Sequence, residues 1–324
     1  MKKWIQAIRL SVLAASVLPA ILGGVYAFYQ TGVFKVGLFL LTLFGVAVVH
    51  TGANLINDYF DFRSGADLQN DEFLPTVTGG SRVIVDGSFT AQKVLVVSII
   101  CLAAGVLTGV YLALVAGPAV WALIAFGLIT SVVYTTPKFN LINMKLGEIV
   151  IGLDFGVLTI LGAYYVQTGT FSLDALLVSL PVGILIAAIL LINEFQDYKS
   201  DKQVGKMTTV VRIGRKAGAR LLAIMLISLL VLVVIDILVG SLPIWSLISL
   251  LSAPLFIQSI RQAGQFYDQP EHLPLANMSV IMGQLVLMLA LILSVLLNAS
   301  LYYLIGLAPI LLLTFKAMKQ TQVI

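Results

Sequence analysis

The segment Asn54-Leu-Ile-Asn57-Asp58-Tyr-Phe-Asp61-Phe-Arg63-Ser-Gly65-Ala-Asp67 follows an apolar run, Leu38 to Val49, and decides how the chain is read. Asn57, Asp58 and Asp61 stand where an apolar helix should be ending, and Gly65 breaks the helical pattern before Asp67. A second copy, Asn193-Glu194-Phe-Gln-Asp197-Tyr-Lys-Ser-Asp201, leaves another apolar run, Val182 to Ile192. Asn193, Asp197 and Asp201 are spaced i, i+4, i+8, so on a helix they drift only about 40° per step and share one face. The Asn-x-x-x-Asp spacing of Asn57 and Asp61 recurs there, which predicts a duplicated helical unit with one acidic cluster per half.

Composition sets the solvent. Of 324 residues, 60% are hydrophobic and only 10% charged, with a mean hydropathy of +1.05, far outside the range of a soluble domain. The chain reads as one integral membrane domain over residues 1–324. A net charge of +4 is too small to suggest a nucleic-acid partner, and the sequence implies no obligatory protein partner. The single cysteine, Cys101, excludes an internal disulfide and a cysteine metal site. The start, with Lys2, Lys3 and Arg9, resembles the charged region of a signal peptide. Its apolar run continues to about Tyr29 without a small-x-small cleavage site, so it is expected to be a retained first span.

Apolar runs place spans at about 10–29, 35–56, 93–115, 117–135, 147–166, 173–194, 217–239, 242–261, 276–297 and 299–316. The expected fold is therefore all-α: a polytopic membrane bundle of nine or ten transmembrane helices. It comprises two pseudo-repeated four-helix halves, about 10–136 and 147–262, plus C-terminal helices over 276–316. Of 19 basic residues only Lys35 falls between odd and even spans on the outer side. Positive charge stays inside, which puts both acidic motifs at the cytoplasmic face of the cell membrane.

The cytoplasmic loops carry the chemistry. After Asp71 and Glu72 comes Thr78-Gly79-Gly80-Ser81-Arg82, whose glycine amides and guanidinium suit phosphate oxygens. Lys206, Thr208, Thr209 and Arg212 follow the second motif closely, acid and base side by side. Tyr134-Thr-Thr-Pro-Lys138 ends a span at the same face, and Lys145 and Glu148 open the next. Asp154 and Asp236 lie within apolar runs, where an ionised carboxylate costs about 2.5 to 3.5 kcal/mol or more, so they should face the bundle interior or a span end. His50, one turn before the first motif, reads as a packed, hydrogen-bonded residue, and His272 as a loop residue.

Carboxylates converging at one face repel unless a cation neutralises them, and Asp, Glu and Asn oxygens select hard ions such as Mg²⁺. Mg²⁺ is usually shared with substrate phosphate. The two clusters would thus grip a diphosphate, with Lys206, Arg82 and Arg212 as further clamps, while the bundle houses an apolar remainder. Simple capping is a poor alternative, because Asp at a helix C-terminus opposes the macrodipole. A secondary transporter would concentrate polar groups near the midplane and break its helices there; this chain gathers its charge at one face.

At these residues the sequence resembles the UbiA superfamily of intramembrane prenyltransferases. Asn57-Asp58-Tyr-Phe-Asp61 matches the first aspartate-rich motif and Asn193-x-x-x-Asp197-x-x-x-Asp201 the second. Gly79-Gly80-Ser81-Arg82, Tyr134-Thr-Thr-Pro and Gly205-Lys206-Met-Thr-Thr are similar to the MenA-like branch, and the Asn-Arg-Pro-x-Arg-Pro string of ubiquinone-type members is absent. Lys138 stands where that branch often has a second proline. The resemblance implies Mg²⁺-dependent transfer of a polyprenyl group from an allylic prenyl diphosphate to a small aromatic acceptor, 1,4-dihydroxy-2-naphthoate in menaquinone synthesis, beside membrane lipid. Other acceptors of the superfamily are 4-hydroxybenzoate, homogentisate, a chlorin or a glyceryl phosphate. It further implies Asn57, Asp61, Asp67, Asn193, Asp197 and Asp201 as metal ligands, and Asp61, Asp197, Asp201, Tyr134 and Lys206 as catalytic residues. Arg82, Lys206, Arg212, Asp58, Asp154 and Arg63 are the implied substrate contacts. Asp154, Glu194 and Asp58 are the candidates for a general base.

Overall fold

The computed structural model describes the backbone of residues 2–70, 80–134, 141 and 146–321, and side chains there except at 2, 10, 11 and 300–321. The expectations for Asp71, Glu72, Thr78, Gly79, Thr135 to Lys138 and Lys145 lie outside the described residues. Helices α1 (Lys2–Ile8), α2 (Leu10–Thr31), α3 (Val36–Ser64), α4 (Ala66–Gln69), α5 (Ala91–Ala116) and α6 (Ala119–Val133) come first. Next are α7 (Gly147–Ile151), a π-helical turn (Gly152–Leu158), α8 (Thr159–Thr168) and α9 (Leu173–Gln203). Then come α10 (Thr209–Ile213), α11 (Arg215–Leu238), a 3₁₀ segment (Ile244–Ser252), α12 (Ala253–Phe266), a 3₁₀ turn (Pro270–His272) and α13 (Pro274–Thr321). The described residues contain no strand, as expected where no water serves the backbone and every N–H must be satisfied within its own helix.

Eight helical stretches are long and apolar enough to cross a membrane: Val12–Thr31, Val36–Ser64, Ala91–Ala116, Gly147–Thr168, Leu173–Gln203, Arg215–Leu238, Ile244–Phe266 and Pro274–Ala299. Ala119–Val133 is a shorter apolar helix. The protein is a multi-pass helical membrane protein. One boundary differs from expectation: the apolar runs 276–297 and 299–316 are not separate helices but continuous α13. Asn298-Ala-Ser carries no glycine or proline, so nothing in it stops a helix.

The helices turn large side chains both ways. Leu107, Leu114 and Leu238 are exposed, which suits a lipid-facing surface. The main core packs Leu22, Tyr26, Ile160, Leu185, Ile192, Phe195, Leu222, Phe256 and Leu287 from α2, α8, α9, α11, α12 and α13. A Cβ added to Gly152 or Gly156 of the π-turn would stand 2.7 Å from the Gly183 carbonyl oxygen or 2.5 Å from its Cα. Small residues thus bring the π-turn and α9 backbone to backbone. Cys101 is half-buried on α5, a packing residue.

Candidate active site

α3 and α9 carry the two acidic motifs. Gly65 ends α3 with a left-handed C-cap (φ 86°), its N–H bonded to the Phe62 carbonyl at 3.2 Å. The chain then turns into α4, which places Asp67 beside the end of the helix it has left. α9 runs on to Gln203 despite Pro181, holding Asn193, Asp197 and Asp201 on one continuous helix, so the expected shared face exists. Lys206 follows, its N–H bonded to the Asp201 carbonyl at 2.8 Å.

These elements enclose one chamber of about 210 Å³. Asn57, Asp61, Asp67, Tyr134, Asp154, Asn193, Asp197, Asp201 and Lys206 all line it, so the two motifs do meet. Lys206 Nζ donates to both oxygens of Asp61 at 3.1 Å and stands 3.6 Å from Asp201. Asn57 Nδ2 donates to Asp61 at 2.9 Å. Burial disfavours charge on Lys206, but Asp201, Asp61 and Asp197 outweigh it and hold its pKa well above the ordinary lysine value. Burial, reinforced by the charges of Asp61 and Asp58, pushes Asp67 up to about 9.

The remaining expected contacts lie elsewhere. Asp58 is buried away from the chamber, its two oxygens accepting the Ser81 N–H at 3.2 Å each. That bond pins the end of the glycine-rich loop to α3. Arg82 turns its guanidinium to the carbonyls of Asp67 (3.0 Å) and Asn70 (3.4 Å), and so fixes α4 rather than facing the cavity. Arg212 donates to the Met207 carbonyl at 2.8 Å, and Arg63 is exposed at the end of α3. Neither lines the chamber. Glu194, by contrast, does line the chamber, and one of its oxygens accepts the Val210 N–H at 2.9 Å, tying α10 to α9.

Other residues of the site escaped the sequence reading. Asn70 Nδ2 donates to Asp197 at 2.7 Å, linking the two motifs directly. Asn277, early in α13, donates to Asn193 Oδ1 at 2.9 Å and accepts from Gln196 Nε2 at 2.8 Å. Its signal was an amide, one of two with Gln284, in an apolar span. Arg9, read only as a topology charge, lines the chamber from a left-handed backbone (φ 52°) between α1 and α2. α1 is clamped there by Trp4 stacked on Phe89 (4.2 Å), by Lys3 paired with Asp86 (2.8 Å) and by Gln6 Nε2 donating to the Ser81 carbonyl (2.9 Å).

Among the described residues no three His, Cys, Asp or Glu side chains are gathered closely enough to ligate one ion by themselves. The donor set nevertheless fits Mg²⁺. Among the described residues, six acids, Asp61, Asp67, Asp154, Glu194, Asp197 and Asp201, face the chamber against two cationic side chains, Arg9 and Lys206. Mg²⁺ is held by few carboxylates and completes its shell with water and phosphate oxygens, so an open, over-acidic oxygen wall suits it.

A second, mostly apolar cavity of about 180 Å³ adjoins the chamber between α3, α5, α6, α8 and the π-turn. Val46, Val49, Leu112, Leu123, Ile124 and Leu158 are among its walls. Ser131, Asp154 and Phe155 line both spaces and mark where they meet.

The model of the UbiA prenyltransferase family matches residues 16–272. The chain is 31% identical over 271 residues to a 2-carboxy-1,4-naphthoquinone phytyltransferase of Synechocystis sp., covering 83% of this chain and 85% of that one. It is 28% identical over 259 residues to a 1,4-dihydroxy-2-naphthoate octaprenyltransferase of Bacillus subtilis, covering 79% and 80%. A solved UbiA homolog from Archaeoglobus fulgidus, bound to GPP and Mg²⁺, shares the fold with a TM-score of 0.62 at 16% identity, over 92% of this chain and 99% of that one. With the family match spanning both acidic helices and all of the chamber lining except Arg9, Val12 and Ala15, the chain belongs to the UbiA prenyltransferase family.

Proposed function

We propose that this protein transfers a polyprenyl group from an allylic prenyl diphosphate to 1,4-dihydroxy-2-naphthoate, in the cell membrane, from an active site opening to the cytoplasm. The observation that carries this reading is the convergence of Asp61 and Asp201, from separate helices, on Lys206 in a chamber that adjoins an apolar channel. A charged head and a hydrocarbon tail each find their solvent there. The naphthoate acceptor is supported by the two relatives named for such substrates.

Asn57, Asp61, Asp67, Asn193, Asp197 and Asp201 would hold Mg²⁺, which supplies Lewis-acid stabilisation to the departing diphosphate. Lys206, kept charged by its carboxylates, donates N–H to the diphosphate oxygens. The Tyr134 ring, on the chamber wall, faces the allylic carbon as it gains positive charge. The channel walls exclude water from that carbon. The C–O bond breaks with its electron pair on the diphosphate, the acceptor ring carbon takes the allylic carbon, and that ring carbon releases a proton or its carboxyl group. The two halves of the bundle, about 10–136 and 147–262, contribute one acidic helix each.

The test is an assay of purified protein in lipid with radiolabelled geranylgeranyl diphosphate and Mg²⁺, offering 1,4-dihydroxy-2-naphthoate and 4-hydroxybenzoate in parallel with an EDTA control. The expected result is EDTA-sensitive prenylation of the naphthoate. Prenylation of the benzoate alone would move the acceptor, and absence of diphosphate release with either would overturn prenyl transfer.

A further inference from the structure

Where chamber and channel meet, the carbon bearing the diphosphate must lie, if the head occupies one space and the tail the other. His50 stands at this junction. It lines the chamber, and its ring centroid is 4.5 Å from that of Phe155, which lines both spaces. It belongs to a stripe of α3, His50, Asn54, Asn57 and Asp61, spaced i, i+4, i+7, i+11, all facing the chamber. By helical rise it is about 10 Å along the axis from Asn57.

Its neighbours accommodate the tautomer protonated at Nδ1. Ser16 Oγ, on α2, is 2.6 Å from His50 Nδ1 and donates its hydroxyl proton to the Leu13 carbonyl at 3.2 Å. A hydroxyl has one proton to give. With the imidazole proton on Nδ1, Ser16 accepts there and gives its own proton to the Leu13 carbonyl, so both contacts are met and Nε2 keeps its lone pair. One turn away, Asn54 Nδ2 is buried on the chamber wall with no hydrogen-bond partner among the described residues. Residues four apart on a helix are neighbours. An unshared lone pair beside an unmet amide donor matches a phenolic hydroxyl, which gives a proton and whose oxygen then accepts a bond.

We propose that His50 and Asn54 form the site for the acceptor's hydroxyl, with His50 as the general base. This rests on the prenyl-transfer reading above. The O–H proton passes to His50 Nε2 and its electron pair stays on oxygen, where the Asn54 N–H bonds it. The ring, made electron-rich, forms the carbon–carbon bond to the allylic carbon while the C–O bond pair leaves with the diphosphate. The attacked ring carbon loses a proton or, as carbon dioxide, its carboxyl group, and that bond pair returns to the ring. The imidazolium then gives its proton back to the product oxygen. Of the other acids considered for this role, Asp58 does not line the chamber, and Glu194 lines it with one oxygen bonded to the Val210 N–H.

The test uses full-length wild type, His50→Gln, Asn54→Leu, Ser16→Ala and Asp154→Asn in lipid, with Mg²⁺, geranylgeranyl diphosphate and two acceptors. These are 1,4-dihydroxy-2-naphthoate and a halogenated analogue whose hydroxyl is more acidic. Equilibrium binding of the labelled donor is measured beside turnover, so that loss of fold is seen separately. His50→Gln is expected to lower kcat by about a hundredfold or more, the usual scale of general acid–base catalysis, with donor binding intact. The deficit should shrink on the more acidic acceptor, which needs the base less. Asn54→Leu should cost about tenfold or more, and Ser16→Ala, which keeps the imidazole but frees its tautomer, severalfold. Equal deficits of His50→Gln on the two acceptors, loss of donor binding, or an acceptor-dependent deficit in Asp154→Asn instead, would each overturn the assignment to His50. Absence of transfer by wild type would overturn the prenyl-transfer reading and this proposal with it.

Discussion

Asp61 and Asp197 show how much depends on single carboxylates. Each faces the chamber, Asp61 gripped by Lys206 and Asn57, Asp197 by Asn70. Asp61→Ala and Asp197→Ala are each expected to lower turnover by about a hundredfold or more, the scale of removing one electrostatic stabiliser of the transition state. Immunoblots of washed membranes should show both variants inserted at wild-type level; near-normal turnover in either would sink the model of a diphosphate held between two acidic motifs. Gly80 is as constrained as any side chain. Its backbone is left-handed (φ 70°), and an added Cβ would lie 2.8 Å from Asp58 Oδ1 and 3.2 Å from Asp67 Oδ2. Gly80→Ala meets about 1–2 kcal/mol of backbone strain and displaces two acidic groups at once. A lower melting midpoint together with lost turnover is the expected outcome, read by thermal denaturation and assay of the purified variant.

Among the elements, the contact of the π-turn with α9 is highly sensitive to volume. Gly152 and Gly156 oppose Gly183 so closely that a methyl group meets backbone. Helices in lipid associate through packing of this kind, since no hydrophobic drive separates them from the surrounding chains. Gly156→Leu is expected to destabilise by about 1–3 kcal/mol, the usual cost of overpacking, and more if the backbones part. Gly264, exposed on α12 with open space around its Cβ position, is the control. Gly264→Ala should be neutral or stabilising by about 0.5–1 kcal/mol, because alanine restricts the unfolded chain and favours helix. Parallel melting curves of the two variants check both signs; a stable Gly156→Leu would mean that the π-turn and α9 are further apart than described.

For the whole molecule, the two adjoining cavities predict how the enzyme measures its donor. Gly127 on α6 lines the apolar channel, and a Cβ there has nothing within 4 Å. Gly127→Phe should therefore fill the channel without straining the fold. Geranylgeranyl diphosphate should lose tenfold or more in kcat/KM, while dimethylallyl diphosphate, whose hydrocarbon ends near the junction, is spared. Steady-state kinetics across donors of increasing length would show it, and an equal loss for every donor would place the tail elsewhere. What the sequence by itself determined was everything that follows from local pattern. Apolar runs of membrane length gave the all-helical bundle, and the i, i+4, i+8 spacing put Asn193, Asp197 and Asp201 on one face of α9. The excess of oxygen donors pointed to a hard cation and a diphosphate. Tertiary structure alone decided which polar residues share the chamber. Asp58, Arg63, Arg82 and Arg212 carry suitable charges but point outside it, whereas Asn70, Asn277, Arg9, His50 and Asn54 reach the motifs or the cavity. The physical reason is that spacing along a helix fixes which residues share its face. Which face is turned inward, and what another helix brings against it, depends on packing between segments far apart in the chain.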